Sequence, residues 1–171
     1  RDLTQLVHGL AGRGHRITLY TLHADQPVPS GCRRVRVPVL GTGKLAELWS
    51  LAWQGPRMAY RGGHDLVIGF TRLLRQDVIR CGGGSHEGYL RAMAQADPSL
   101  RASFRRWMPL HWSILAIERR QYRTDRFRAV LAISHGVKQA MMQVHGVPEA
   151  AITVTHGGVD MIRFTLRISN V

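Results

Sequence analysis

The stretch RCGGGSHEGYL, residues 80–90, contains residue types that could bind or act on a substrate. Three consecutive glycines, 82–84, end an apolar run, and glycine permits both sharp bends and the close approach of a ligand to the backbone. Ser85 and His86 follow, and a neutral imidazole can donate or accept a hydrogen bond at physiological pH. Two explanations stay open for the glycines: a substrate passes close to them, or they form a tight turn beneath the next helix.

Known glycine motifs and other catalytic patterns do not account for this stretch. A phosphate-binding P-loop needs a Lys after its last glycine, which is missing, and no GxGxxG leads into a helix. The chain has no GxSxG segment, so a serine hydrolase is not indicated. Cys32 and Cys81 form no CxxC pair, and we expect neither a metal site nor a disulfide.

Polar residues follow four of the strands that the sequence predicts. They are Thr71 and Arg72, Ser85 and His86, Ser134 and His135, and His156. In an open parallel sheet, ligands bind outside the carboxyl ends of the strands. The sequence therefore predicts one polar rim at which these side chains gather.

The elements that carry this rim follow from hydrophobic periodicity. Helices are predicted over 2–13, 45–60 and 135–146, a mostly helical region over 98–124, and strands over 15–22, 33–40, 65–70, 76–83, 129–134 and 151–156. The alternation predicts an α/β fold: a Rossmann-like, mostly parallel sheet with helices on both faces. A doubly wound sheet begins with a strand, whereas this sequence begins with a helix. We therefore expect the first strand to be lacking and the chain to be a fragment.

The formal net charge of +13 comes almost entirely from arginine, since only Lys44 and Lys138 are lysines. A nucleic-acid-binding protein clusters its basic residues, and here they are scattered. Two interpretations are open: an arginine-rich coding bias, or attraction to anionic lipid head groups and phosphorylated glycans. No nucleic-acid partner is expected, although a stand-alone nucleotide- or nucleic-acid-binding module without catalysis is the alternative hypothesis.

Two stretches resemble glycosyltransferase family 4, whose members have the two-domain GT-B architecture. LAISHGVKQAMMQVHGVPEAAITVTHGGVDMIRF (131–164) is similar to the segment in which the family's chain crosses to its second domain, with Gly157 in place of the usual Asn. DLVIGF and RQDVIRCGGGSHEGYL (65–90) resemble two consecutive strands of the family, the second ending at an active-site histidine. The latter stretch most resembles enzymes that extend the lipopolysaccharide core.

The resemblance implies a domain organisation and an activity. Residues 1–160 would form the N-terminal, acceptor-side domain, incomplete at its start, and 161–171 would begin the interdomain linker, with the C-terminal donor domain absent. The whole protein would be a retaining, metal-independent glycosyltransferase that moves a sugar from a nucleotide-sugar, UDP-linked donor to a glycan or lipid-linked acceptor. It would need no other cofactor, and this fragment alone would be inactive.

The resemblance also implies roles for individual residues. His86 would line the crevice as the catalytic residue and contact the transferred sugar or its phosphate, with Gly83, Gly84 and Ser85 shaping the floor beneath it. Arg72 and Arg75 would meet an anionic acceptor, because a guanidinium group suits phosphate. Ser134 would lie near the cleft. Solvated charges at the two arginines and a helix N-cap at Ser134 are the structural alternatives.

FRRWMPLHWSILAIERRQYR, residues 104–123, combines aromatic and apolar residues with flanking arginines. Interfacial helices have this composition, and so do core helices whose arginines extend to solvent. The first interpretation predicts a cytoplasmic protein in peripheral contact with the anionic inner face of the cell membrane. No run in the sequence approaches the roughly 18 apolar residues of a membrane span.

Overall fold

The computed structural model describes residues 2–23, 28, 30–96 and 108–157. The helices are α1 (Asp2–Ala11), α2 (Gly43–Arg61), α3 (His86–Ala96), α4 (Pro109–Gln121) and α5 (His135–His145). The strands are β1 (Ile17–Thr21), β2 (Cys32–Arg36), β3 (Ile68–Gly69), β4 (Val78–Cys81), β5 (Ala129–Ala132) and β6 (Ile152–Val154). Each strand lies within one of the predicted ranges, apart from the first residue of β2.

All strand pairs in the described residues are parallel. β1 pairs with β2, and a second sheet has the order β3-β4-β5-β6. In the second sheet, Ile79 of β4 pairs with Val130 of β5, which pairs in turn with Ile152 of β6. Parallel neighbours must be joined by crossovers. α3 and α4 lie in the connection from β4 to β5, and α5 lies in the connection from β5 to β6. This arrangement confirms the predicted mostly parallel α/β fold.

The core lies between the second sheet and the helices that cover it. Ile79 and Cys81 of β4 alternate with less buried neighbours, and Val130 and Ala132 of β5 do the same. Met141 of α5 packs into the same cluster and is fully buried. Burying each large apolar side chain is worth roughly 1.5–3 kcal/mol, so this cluster fixes the central strands and hence the position of their carboxyl ends.

α5 begins and ends with standard capping interactions. The Ser134 Oγ accepts a hydrogen bond from the Val137 backbone N–H at 3.2 Å, which is the interaction of an N-cap. At the other end Gly146 adopts a left-handed conformation, with φ of 64°, and its N–H bonds to the Met142 carbonyl. Glycine is the residue that adopts this conformation without a steric penalty.

Two helices differ from expectation. α3 was not predicted as an element, because the glycines before it and Gly88 within it interrupt the helical pattern. α4 begins at Pro109, which occupies the first turn of the helix rather than interrupting it. Proline suits this position because the first N–H groups of a helix have no intrahelical partner. The helical prediction for 98–107 lies outside the described residues.

Candidate active site

A groove of about 660 Å³ lies where α3 and α5 meet the loop after β4. The residues lining it include Arg72, Gly84, Ser85, His86 and Tyr89, with Gln143 of α5 on the opposite side. The groove is at the carboxyl end of β4, because α3 begins five residues after that strand ends. It therefore occupies the edge at which parallel sheets bind their ligands.

The glycines of 82–84 border open space. None of the three has a positive φ, and a Cβ atom built on any of them would meet no described atom within 4 Å. All three are exposed. Among the described residues, therefore, neither backbone conformation nor packing requires glycine here, and the interpretation as a tight turn under a helix finds no support.

Ser85 is the N-cap of α3 and its hydroxyl is fully engaged. Its Oγ accepts hydrogen bonds from the backbone N–H groups of Glu87 at 3.1 Å and Gly88 at 3.3 Å. The Nε2 of His145 lies 2.9 Å from the same oxygen. A hydroxyl has two lone pairs and one proton, so with both lone pairs in use the proton is directed to the imidazole. Ser85 thus shapes the groove from beneath.

His145 must then be neutral at Nε2 to accept that proton. Burial lowers the pKa of His145 below its ordinary value, and the nearby Glu118 carboxylate opposes the shift without reversing it. Its ring also stacks on Tyr122, with 4.4 Å between ring centroids. The histidine therefore acts as a buried, uncharged support for the start of α3.

His86 is the first residue of α3 and is half-buried at the groove. Its ring Nε2 lies 2.8 Å from the Nδ1 of His111, and the two ring planes are nearly parallel, with 14° between them and 5.0 Å between the ring centroids. Burial lowers the pKa of His86, and the positive charge of Arg72 lowers it further. The imidazole is consequently neutral at pH 7. No described residue forms a hydrogen bond with its Nδ1.

Glu118 of α4 is a functional candidate that the sequence interpretation missed. It is 3% exposed, and its two carboxylate oxygens each lie 3.0 Å from the backbone nitrogen of His86. The Nε of Arg72 donates to the same carboxylate at 3.2 Å. A buried charge is stable only when it is paired in this way. The signal in the sequence was one acidic residue in an otherwise basic and apolar stretch.

Arg72 retains donors for an anion. Its side chain is 35% exposed, and only its Nε contacts Glu118. Arginine carries five N–H donors in a rigid fork, so the terminal nitrogens can still bind a phosphate or carboxylate at the groove.

The structure brings four of the predicted site residues to the lining of the groove: Arg72, Gly84, Ser85 and His86. Gly83 is adjacent, and its carbonyl accepts the Cys81 thiol proton at 3.1 Å. Arg75 is exposed and its guanidinium stacks on Tyr60, 4.6 Å from the ring centroid. Neither Arg75 nor Ser134, which caps α5, lines the groove.

Two further findings concern metals and membranes. In the portion of the chain that the structure describes, no group of three or more His, Cys, Asp or Glu side chains is placed to hold a metal ion. None of the described helices is long and apolar enough to span a bilayer.

Comparisons with known proteins concern the fold and the family of the chain. A search of curated proteins finds no significant match. The fold is similar to the crystal structure of WaaG, a glycosyltransferase involved in lipopolysaccharide biosynthesis, with a TM-score of 0.75 and 18% sequence identity. The match covers 93% of this chain and 41% of that one, and it confirms the predicted Rossmann-like fold of GT-B type. The family model for Glycosyltransferase Family 4 matches residues 1–163. The chain therefore belongs to glycosyltransferase family 4.

Proposed function

We propose that the protein containing this chain transfers a sugar from a nucleotide-sugar donor to a glycan or lipid-linked acceptor, and that the groove between α3 and α5 holds the reacting sugar. The observation that carries the proposal is the neutral His86 ring, whose Nδ1 has no described partner, beside the open glycine loop. A neutral imidazole can orient a sugar hydroxyl by a hydrogen bond, and it carries no positive charge that would attract the leaving diphosphate.

Transfer requires stabilisation of a departing diphosphate and of a sugar carbon that gains positive charge. Arg72 supplies a guanidinium group at the lining of the groove, whereas the first N–H groups of α3 are already bonded to Glu118 and Ser85. We propose that residues 1–160 form the acceptor-side domain and that a second domain completes the cleft and holds a UDP-sugar. On this proposal the reaction retains the configuration at the sugar carbon and needs no metal. The 171 residues alone do not catalyse the transfer.

We propose a lipopolysaccharide core or a related cell-envelope glycan as the acceptor. Support comes from the similarity to WaaG and from the free donors of Arg72, which suit a phosphorylated core sugar. Arg75 does not line the groove and its guanidinium stacks on Tyr60, so a contact of Arg75 with the acceptor stays a prediction.

We also propose that the protein contacts the anionic inner face of the cell membrane from the cytoplasm. An exposed set of apolar side chains supports this, and we call it the aromatic patch: Leu40, Leu45, Trp49, Trp53, Met108 and Trp112. The Trp49 Nε1–H donates to the Ser113 Oγ at 3.1 Å, which joins the α2 and α4 parts of the patch. Tryptophan favours the membrane interface.

The patch alters the earlier interpretation of 104–123. Leu115 and Ile117 of α4 are buried, so that face of the helix belongs to the core. Of its large apolar side chains in the described part, only Met108 and Trp112 remain exposed, and α2 with the loop before it supplies the rest of the apolar surface.

The proposed activity can be tested with the full-length protein, UDP-linked and other nucleotide sugars, and truncated lipopolysaccharide acceptors. We expect transfer of labelled sugar to an acceptor, without added divalent metal and with EDTA present. Transfer that requires a metal would contradict the proposed mechanism. Absence of transfer with every donor, together with salt-sensitive binding of DNA, would favour the alternative of a binding module.

A further inference from the structure

One face of α4 contacts His86 at two points. His111 and Glu118 are seven residues apart, which places them on the same side of the helix two turns from each other. His111 contacts the His86 ring, and Glu118 contacts its backbone nitrogen. The two contacts come from a helix that begins 23 residues after His86, and neither α4 residue lines the groove itself.

The carboxylate of Glu118 fixes the main chain at the start of α3. Both oxygens lie 3.0 Å from the His86 nitrogen, and Oε1 also accepts from Arg72 at 3.2 Å. The separation between the His86 backbone and the Arg72 guanidinium is therefore set by one buried group. Movement of either residue would leave a buried carboxylate with fewer partners, which is costly.

The ring of His111 fixes the ring of His86. A single hydrogen bond of 2.8 Å joins His111 Nδ1 to His86 Nε2, so one of these nitrogens carries the proton and the other accepts it. In a neutral imidazole the two nitrogens have opposite roles. If His86 Nε2 donates, its Nδ1 accepts from a ligand; if Nε2 accepts, Nδ1 donates. The His111 tautomer thus decides which role His86 offers to the groove.

We propose that His111 and Glu118 are positioning residues for His86: Glu118 holds its backbone against Arg72, and His111 holds its ring and selects the tautomer presented at Nδ1. That the ligand of Nδ1 is a sugar hydroxyl rests on the proposed function. The positioning itself depends only on the contacts within this chain.

The charged and titratable groups around His86 affect its pKa, so the proposal can be tested by titrating this histidine. They are Arg72 from the loop after β3, His111 and Glu118 from α4, and Tyr89 on α3, with His145 of α5 beyond Glu118. Burial is the largest cause of the lowered pKa of His86. Arg72 and His111 lower this pKa further, and Glu118 acts to raise it. Removing His111 or Glu118 should therefore move that pKa in opposite directions.

The first experiment follows the His86 ring by NMR in the full-length protein with isotope-labelled histidine. We expect His111→Phe to raise the titration midpoint of His86, since the electrostatic effect of His111 that opposes protonation of His86 is lost, and Glu118→Gln to lower it. His111→Asn keeps a polar atom where Nδ1 was and should remain near wild type. His15→Asn, at an exposed histidine, is the control. Unchanged His86 signals in both His111→Phe and Glu118→Gln would overturn the proposal.

The second experiment measures transfer by the same variants. His111→Phe and Glu118→Gln should lower kcat by about tenfold or more with a smaller change in KM, because misplacing a catalytic group affects the reacting geometry most. His111→Asn should recover most of the activity, and equal loss in His111→Asn and His111→Phe would contradict the assigned role. If the wild type transfers no sugar, the proposed function fails, while the NMR result still decides the positioning.

Discussion

Ser85 and Ser134 perform the same task at two helices, which makes them a matched pair. Each Oγ accepts a backbone N–H in the first turn, of α3 and α5 respectively. Only Ser85 has an additional partner, since its hydroxyl also bonds to the buried ring of His145. The difference between the two sites therefore measures what the contact with His145 and the second N–H contact of Ser85, from Gly88, add to an N-cap.

We expect Ser134→Ala to lower the free energy of unfolding by about 1 kcal/mol, the usual cost of losing an N-cap. Ser85→Ala should cost about 2 kcal/mol, because it also leaves the buried His145 nitrogen without its donor. Urea denaturation of both variants provides the comparison. Equal losses would mean that the contact between Ser85 and His145 contributes nothing to stability.

Glu118 shows why the site was only partly predictable from single residues. Arg72, Ser85 and His86 were identified because each follows a strand, and a strand's end is visible in the sequence. Whether the carboxylate in AIERRQ points to solvent or to the core depends on a contact 32 residues away in the chain, which no local pattern specifies.

At the scale of elements, the aromatic patch bears on the two interpretations of residues 104–123, an interfacial helix and a core helix. Leu45, Trp49 and Trp53 are spaced four residues apart and form one exposed stripe on α2. Trp112 on α4 is 61% exposed. Contiguous apolar surface of this kind marks an interaction site more often than a random feature of the surface.

Replacing Trp53 and Trp112 with Ser should weaken binding of the full-length protein to phosphatidylglycerol vesicles by about tenfold, since each change removes apolar area from the interface. Leu66→Ser, at an exposed apolar residue outside the patch, is the control and should have little effect. Sedimentation with vesicles at low and high salt measures the apolar contribution and the electrostatic contribution to binding, since salt screens only the second. Binding that ignores the tryptophans would exclude the patch as the membrane contact.

Element prediction succeeded where the periodicity was uninterrupted. The buried strands β4 and β5 and the helix α5 were found because apolar runs and a capping pattern define them. α3 was missed because its helical state depends on the Ser85 cap and on packing against α4 and α5, which outweigh the low helix propensity of Gly88.

At the scale of the whole molecule, the fold places the predicted chemistry at one edge. The parallel order β3-β4-β5-β6 directs the loops after these strands to the same side, and the groove forms there. The alternation of strands and helices was enough to predict this edge. The family and its GT-B fold were likewise predicted from two motifs, and the match over residues 1–163 confirms the family.

The chain spans 41% of the length of the glycosyltransferase it resembles in structure. We propose that His86 acts at the reacting sugar. A general acid–base or orienting histidine contributes about 10²-fold or more to the rate, whereas an exposed histidine elsewhere contributes nothing.

The most direct test is kcat/KM for sugar transfer by full-length wild type, His86→Ala and His15→Ala, with circular dichroism to establish that all three are folded. We expect His86→Ala to lose about 100-fold in kcat/KM while His15→Ala matches wild type. A His86→Ala enzyme that stays within about threefold of wild type would contradict the claim, because that difference corresponds to less than the contribution of one ordinary hydrogen bond.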